Sequence, residues 1–291
     1  DYQTIHAEFP GLVYCSVTGY GQDGPYAHRP GYDMAAQGLG GMLSITGEPD
    51  GPPSKVPVAV NDVITGLYAA ISILAALKHR DLTGLGQQID LALLDVQVAW
   101  LYNQGVNYLL NGEVPGRLGT GHPNIVPYQA FEASDGYIIL GTANEEAFQR
   151  FCEFSGHARL LEDPRFRTNA DRVRNRNVAN AKVQEIIKEK PADFWVTELS
   201  RLKITCSRVN TIDQVFEDPQ VRARNMTVDI SHPLSADLPL QLISSPIKLS
   251  ETPVTYRRPP PTLGQHTDEV LAEVLELNEA ERNRLKADGV V

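Results

Sequence analysis

The chain has 291 residues, enough for one large or two ordinary domains with ample capacity for a core. Hydrophobic residues make up 42% and charged residues 21%, and the formal net charge is −10 with no block of Lys and Arg. That balance argues against a nucleic-acid or anionic-membrane partner, while a small basic pocket for an anionic ligand stays open.

In chain order, the first ten residues read as the tail of a helix, and residues 11–18 (GLVYCSVT) as a buried strand. Residues 19–33 are rich in glycine and proline and form a long ordered loop of the kind that carries binding function. A short helix is expected over 33–45, ending near Gly47, and then a second loop. Residues 57–87 hold an almost wholly apolar helix with Asn61 or Asp62 as its natural N-cap. A helix apolar nearly all round is expected to be buried between layers. Its longest apolar run, residues 67–77, is shorter than the ~18 residues a spanning helix needs. Residues 87–93 alternate as a strand, so strand, helix and strand suggest a βαβ unit of a parallel sheet.

A long helix follows over 95–111, then a glycine-bearing loop over 117–129 and a strand over 137–143. Helices are expected near 145–155, 171–189 and 191–202, the last with Pro191 in its first turn, and a short strand over 204–209. Residues 227–250 hold two or three short strands, and the proline-rich stretch from Arg257 is an extended connector. Two small helices close the chain, one capped by Thr267 and one opened by the capping box Asn278–Glu281.

Cys15, Cys152 and Cys206 are odd in number, far apart and without a CxxC, which reads as reduced buried thiols. The seven histidines show no ligand spacing, so no metal site is expected. There is no G-x-S-x-G for a serine triad. Neither glycine cluster, Gly19/Gly21/Gly24/Gly31 or Gly119/Gly121, matches a phosphate-binding loop, and surface turns explain glycines equally well. Asp62 has two readings. As an N-cap it satisfies orphan N–H groups; as an anion held by the helix dipole it is a usable nucleophile at neutral pH.

The combined strings LVYCSVTGYGQDGPYAHRPGYD-x3-QGLGG, VNDVITGLYAAISILAAL-x5-TGLGQ-x2-D and RPPPTLGQHTDEVL resemble the class III CoA-transferases. This is the CaiB/BaiF family, with its formyl-CoA transferase and carnitine-CoA-transferase branches. The middle string RLGTGHPNIVPYQAF is most similar to the branch acting on dicarboxylic acids, such as succinyl-CoA:glutarate CoA-transferase. The likeness implies an α/β fold: a Rossmann-like parallel-sheet large domain, lacking its N-terminal portion in this chain, plus a smaller α+β domain. It implies residues 1–94 in the large domain, 95–125 as linker helix and glycine loop, and 126–210 as the small domain. Residues 211–291 are then a return linker and the C-terminal part of the large domain. An interlocked homodimer, with 95–111 and 211–262 as crossing segments, is implied too.

Carried over by position, the resemblance makes Asp62 the covalent nucleophile and Asp33 the acidic residue beside it. It assigns CoA contacts to Arg29, Pro30, Gly31 and Tyr32, and the loop that shields intermediates to Gly119, Thr120 and Gly121, followed by His122. The formyl-CoA branch carries more consecutive glycines there, so GTGH speaks against a formyl substrate. Arg117 is the candidate cation for the distal carboxylate of a dicarboxylate, against the alternative of a solvated loop arginine. No resident cofactor is implied, since the CoA thioester enters as substrate; nor is a membrane or nucleic-acid partner. The compartment expected is the cytoplasm, or the mitochondrial matrix in a eukaryote. Two alternatives stay open. A 2-methylacyl-CoA racemase of the same fold would use a histidine where this chain has Tyr32, and tyrosine, with a pKa near ~10, is a poor base at neutral pH. A catalytically silent CoA-binding subunit would form no covalent adduct.

Overall fold

A computed structural model describes residues 1–291, side chains at 236 and 237 excepted. The fold is mixed α/β and divides into two compact units, Asp1–Val209 and Asn210–Val291.

The first unit opens with α1 (Tyr2–Glu8) and β1 (Tyr14–Thr18). Next come α2 (Asp33–Leu39), α3 (Met42–Ile45), α4 (Val60–Thr83) and β2 (Gln88–Ala92). β1 and β2 pair in parallel, from Tyr14 opposite Gln88 to Thr18 opposite Ala92. Parallel neighbours require a crossover, and α4 supplies it by packing on both strands. The expected βαβ unit is therefore present. α4 ends at Gly84, in the left-handed conformation, whose N–H donates to Arg80 O.

The burial of α4 differs from expectation. Ile64, Thr65 and Ala76 are buried, but Leu67, Ile71 and Leu74 are 60%, 64% and 68% exposed. At steps of four and three these residues line one stripe, which this chain leaves uncovered. With 24 residues, α4 is also long and apolar enough to cross a membrane by length and composition, beyond the shorter run read from sequence. Packing on β1 and β2 accounts for the apolar face that carries Ile64 and Ala76, and not for the uncovered stripe.

α5 (Leu93–Ala99) and α6 (Tyr102–Asn111) replace the single helix expected over 95–111. The break lies at Tyr102, a non-glycine residue at φ +40°. The helix expected over 33–45 is likewise split, at Gly40 and Gly41.

β3 (Tyr128–Ala133), β4 (Gly136–Gly141) and, after the helices, β5 (Thr205–Arg208) form an antiparallel sheet in that order. β3 falls partly in the stretch read as a glycine loop. The helices are α7 (Glu145–Phe154), α8 (Asn169–Arg174), α9 (Arg176–Ile187) and α10 (Ala192–Arg201). The helix expected over 171–189 breaks at Asn175, and Pro191 is the N-cap of α10, just before its first turn. The main core of the chain lies here. Phe131, Ile138 and Leu140 from the sheet meet Phe148, Phe151, Val183, Ile187, Trp195 and Leu199 from the helices. Arg172 is wholly buried beside this core, donating to Val126 O at 2.7 Å and Phe166 O at 2.9 Å, and paired with Glu145 at 2.8 Å. Its guanidinium also lies 4.2 Å from the Phe148 ring centroid.

The second unit contains α11 (Ile212–Glu217), α12 (Pro219–Ala223), the antiparallel pair β6 (Thr227–His232) and β7 (Ser235–Ile243), α13 (Thr267–Glu273) and α14 (Glu279–Ala287). The capping box on α14 is formed, with Asn278 and Glu281 each accepting the other's backbone N–H. Thr267 is not the cap of α13; His266 holds that position, its side chain facing Glu269 and capping no backbone N–H.

Candidate active site

α4 begins without a cap of its own. Its N-cap is Ala59, which offers no side-chain acceptor, and Asn61 and Asp62 both lie inside the first turn. The missing acceptor comes from another helix. Asp33, the first residue of α2, is 8% exposed and accepts the Asn61 N–H on Oδ1 at 2.9 Å. So Asp62 does not cap α4, and Asp33 does, from 28 residues away.

A polar cluster fixes this junction. Asp33 Oδ2 accepts from Gln37 Nε2 at 2.7 Å, and Gln37 Oε1 accepts the Val56 N–H at 3.3 Å. Asn61 Nδ2 donates to Leu93 O at 2.9 Å, and Thr65 Oγ1 donates to Asn61 O at 2.8 Å. Gln37, Asn61, Thr65 and Gln97 are each about 1% exposed or less. Of these, Gln37, Thr65 and Gln97, where α2, α4 and α5 meet, were not singled out from sequence, and Asn61 was read only as a cap. The signal was a single polar residue set among apolar neighbours, as Gln37 is in α2 and Thr65 in α4.

Asp62 stands beside this cluster with its side chain reaching the surface. The helix dipole favours its anion. Against that, partial burial of the carboxylate and then the charge of Asp33 hold its pKa above the ordinary carboxylate range. A more basic carboxylate that still ionises at neutral pH is a stronger oxygen nucleophile.

The loop ahead of α2 folds on itself. A Cβ at Gly19 would lie 2.5 Å from Gly31 Cα, so neither position has room for a side chain. Gly19 O accepts the Leu94 N–H at 3.1 Å, which ties the loop to α5. The predicted CoA contacts run along its outer side. Arg29 is exposed with its guanidinium 3.8 Å from the Tyr26 ring centroid, Pro30 is exposed, and Tyr32 is 77% exposed at the N-cap of α2.

The second glycine loop is anchored at both ends. Gly119, at φ +60°, donates its N–H to Gly47 O at 2.9 Å, and the Gly121 N–H closes a turn on Leu118 O. Thr120 Oγ1 accepts the Ala130 N–H from β3 at 3.0 Å. His122 stacks on Tyr128, with centroids 5.4 Å apart and planes at 10°. Its Nδ1 accepts the Asn124 N–H at 3.1 Å, which leaves the proton on Nε2. Burial and then the Arg176 cation lower its pKa, so it is neutral at pH 7. Arg117 does not project freely. Its Nε donates to Glu48 O at 3.0 Å, and its Nη2 donates to Pro49 O at 3.3 Å and Gly51 O at 2.5 Å.

The predicted residues thus form two groups. Arg29 to Asp33 and Asp62 gather around the starts of α2 and α4, and Arg117 to His122 gather between residues 47–51 and β3. Among the described residues no direct hydrogen bond joins the groups. Residues 46–56 bridge them, bound to Gly119 through Gly47 and to Gln37 through Val56. Two of the three thiols stand apart from this chemistry, since burial pushes Cys152 to about 12 and Cys206 to about 11. Among the described residues no three His, Cys, Asp or Glu side chains converge as metal ligands.

Similarity to known proteins is extensive. A family model described as CoA-transferase family III matches residues 1–267. A succinate–glutarate CoA-transferase of Agrobacterium fabrum is 44% identical over 275 residues, covering 94% of this chain and 68% of that protein. A succinyl-CoA:glutarate CoA-transferase of Mus musculus is 36% identical over 290 residues, covering 100% of this chain and 66% of that protein. The crystal structure of a CaiB/BaiF family protein from Brucella suis superposes with a TM-score of 0.80 at 40% identity, over 94% of this chain and 71% of that one. The chain thus spans about two thirds of the length of these relatives.

Proposed function

The chain belongs to CoA-transferase family III, and on that premise we propose that it moves coenzyme A from an acyl-CoA donor to a carboxylic acid acceptor, with dicarboxylates as the substrate class. The observation that carries this reading is Asp62, an accessible carboxylate of raised pKa in a helix turn held by Asp33. The relatives named for succinate and glutarate support the dicarboxylate class.

The proposed chemistry begins with an Asp62 carboxylate oxygen attacking the thioester carbonyl carbon. The C–S bond breaks, CoA leaves as the thiolate, and a mixed anhydride remains. The thiolate sulfur attacks the aspartyl carbonyl carbon of that anhydride, the C–O bond to it breaks, and the donor acid leaves as a carboxylate. An acceptor carboxylate attacks the aspartyl thioester and the same two steps run in reverse, restoring Asp62. No proton is gained or lost overall. Water must be kept from the anhydride and thioester, and the loop 119–121 is suited to that task. Arg29 and Tyr32, on the outer side of the first loop, are placed in the reading as CoA contacts. The neutral His122, whose Nε2–H makes no hydrogen bond among the described residues, supplies a hydrogen-bond donor beside the second loop. No resident cofactor takes part.

Incubation with succinyl-CoA followed by hydroxylamine or borohydride tests the reading. Modification mapped to Asp62 by peptide mass spectrometry is the expected result. CoA binding without modification would instead identify a silent CoA-binding subunit.

The same reading makes the working protein a homodimer. Support comes from apolar side chains left open along and just after α6, with Leu109, Leu110 and Val114 each about 80% exposed or more. Sedimentation at micromolar concentration should give twice the chain mass, and a monomer there would contradict the assembly.

A further inference from the structure

We propose that Arg117 is a positioning residue, a clamp that sets the glycine loop 119–121 against residues 46–56 and through them against the Asp33–Asp62 pair. The proposal rests on the CoA-transfer reading for its consequence, and on geometry alone for the clamp itself.

Three backbone carbonyls, those of Glu48, Pro49 and Gly51, converge on one guanidinium. They are presented together because residues 46–54 close on themselves, with the Gly51 N–H on Glu48 O and the Ser54 N–H on Thr46 O. A planar fork with fixed donor directions meets three carbonyls from one position; the single flexible ammonium of lysine does not. Two residues on from Arg117, Gly119 donates to Gly47 O, the carbonyl just before those three. Its backbone comes so close that a Cβ at Gly119 would lie 3.0 Å from a Glu48 carboxylate oxygen. The two loops are therefore seated on each other over Gly47 to Gly51. From Val56 the path continues to Gln37, Asp33 and the Asn61 N–H, at the turn that holds Asp62. The side chain expected to bind a substrate carboxylate instead spends Nε and Nη2 on the protein's own backbone.

If the clamp sets the loop, losing it lets water reach the covalent intermediates. Arg117→Lys and Arg117→Ala should both lower kcat for transfer by about 10²-fold, the scale of a small misplacement near reacting atoms. Hydrolysis of acyl-CoA should rise relative to transfer, with little change in KM for the acceptor. Hydrogen exchange should report the clamp without reference to activity. The Gly119 amide should exchange at least ~10-fold faster in both variants, while core amides of β3 and β4 keep wild-type protection and show that the fold is retained. Unchanged exchange at Gly119 would overturn the clamp whatever the enzyme does. Faster exchange with an unchanged ratio of hydrolysis to transfer would overturn its role at the site. Arg117→Lys with wild-type kinetics and Arg117→Ala with a raised KM for dicarboxylate acceptors alone would make Arg117 a substrate cation and sink the proposal. Failure of the CoA-transfer reading would show separately, as absence of an Asp62 adduct in the wild-type protein.

Discussion

On the proposed function, Asp62→Ala should abolish CoA transfer and leave the fold standing. The expected loss is on the order of 10⁴–10⁶-fold in kcat, as for removal of other covalent nucleophiles, because nothing nearby replaces the attacking oxygen. Asp33 is buried and committed to Asn61 and Gln37, and burial holds the Cys152 and Cys206 thiols protonated. Asp62→Asn gives the same loss with less change of shape. Its stability follows from the raised pKa. In the unfolded chain Asp62 titrates near its ordinary value, and in the fold it titrates higher. Ionisation therefore costs stability, and the cost grows as pH rises through that window. Asparagine never ionises, so the Asp62→Asn protein should melt no lower than wild type at pH 7. Transfer within tenfold of wild type in either variant would remove Asp62 from the nucleophile's role.

The second large effect is expected at Asp33. Asp33→Ala takes an acceptor from the Asn61 N–H and a partner from Gln37, both inside the protein. Leaving such groups unpaired costs about 1–3 kcal/mol each. Asp33→Asn keeps an oxygen for Asn61 but sets an NH₂ against the NH₂ of Gln37. Gln37 cannot simply turn over, because its oxygen is held by the Val56 N–H. Both variants should therefore melt several degrees lower by calorimetry, Ala more than Asn. They also remove a negative charge that raises the pKa of Asp62. The acid limb of kcat/KM should move to lower pH in both. A loss of stability without that movement would mean that Asp33 serves the fold alone.

The sequence disclosed the βαβ unit because a long apolar helix between a buried strand and an alternating one has few other uses. It disclosed the Asn278 box because both partners lie within one turn. It placed Asp62 at the start of α4, though as a cap, where the structure sets it inside the first turn. What it could not disclose is the source of the cap. Asp33 lies 28 residues upstream, and no local pattern favours it over Asn61 or Asp62. The break at Tyr102 is hidden for a similar reason, since no glycine or proline marks that left-handed residue. β3 carries Gln129 and Glu132 among its apolar residues and follows a glycine-rich stretch, which blurs its alternation. Arg117 looks in sequence like any loop arginine; only folding brings three carbonyls to it.

The borrowed cap on α4 has a consequence for how the protein opens. A helix that carries its own cap keeps its first turn whenever the helix itself is intact. Here the first turn of α4 depends on α2 being docked, so partial opening of α2 frays the turn bearing Asp62 while the rest of α4 persists. Asp62 then belongs to a less stable cooperative unit than the helix it sits on. The Asn61 amide, whose acceptor is Asp33, reports this directly. It should exchange with solvent through a lower free energy of opening than the mid-helix amides of α4, and equal protection would show that α2 and α4 open together.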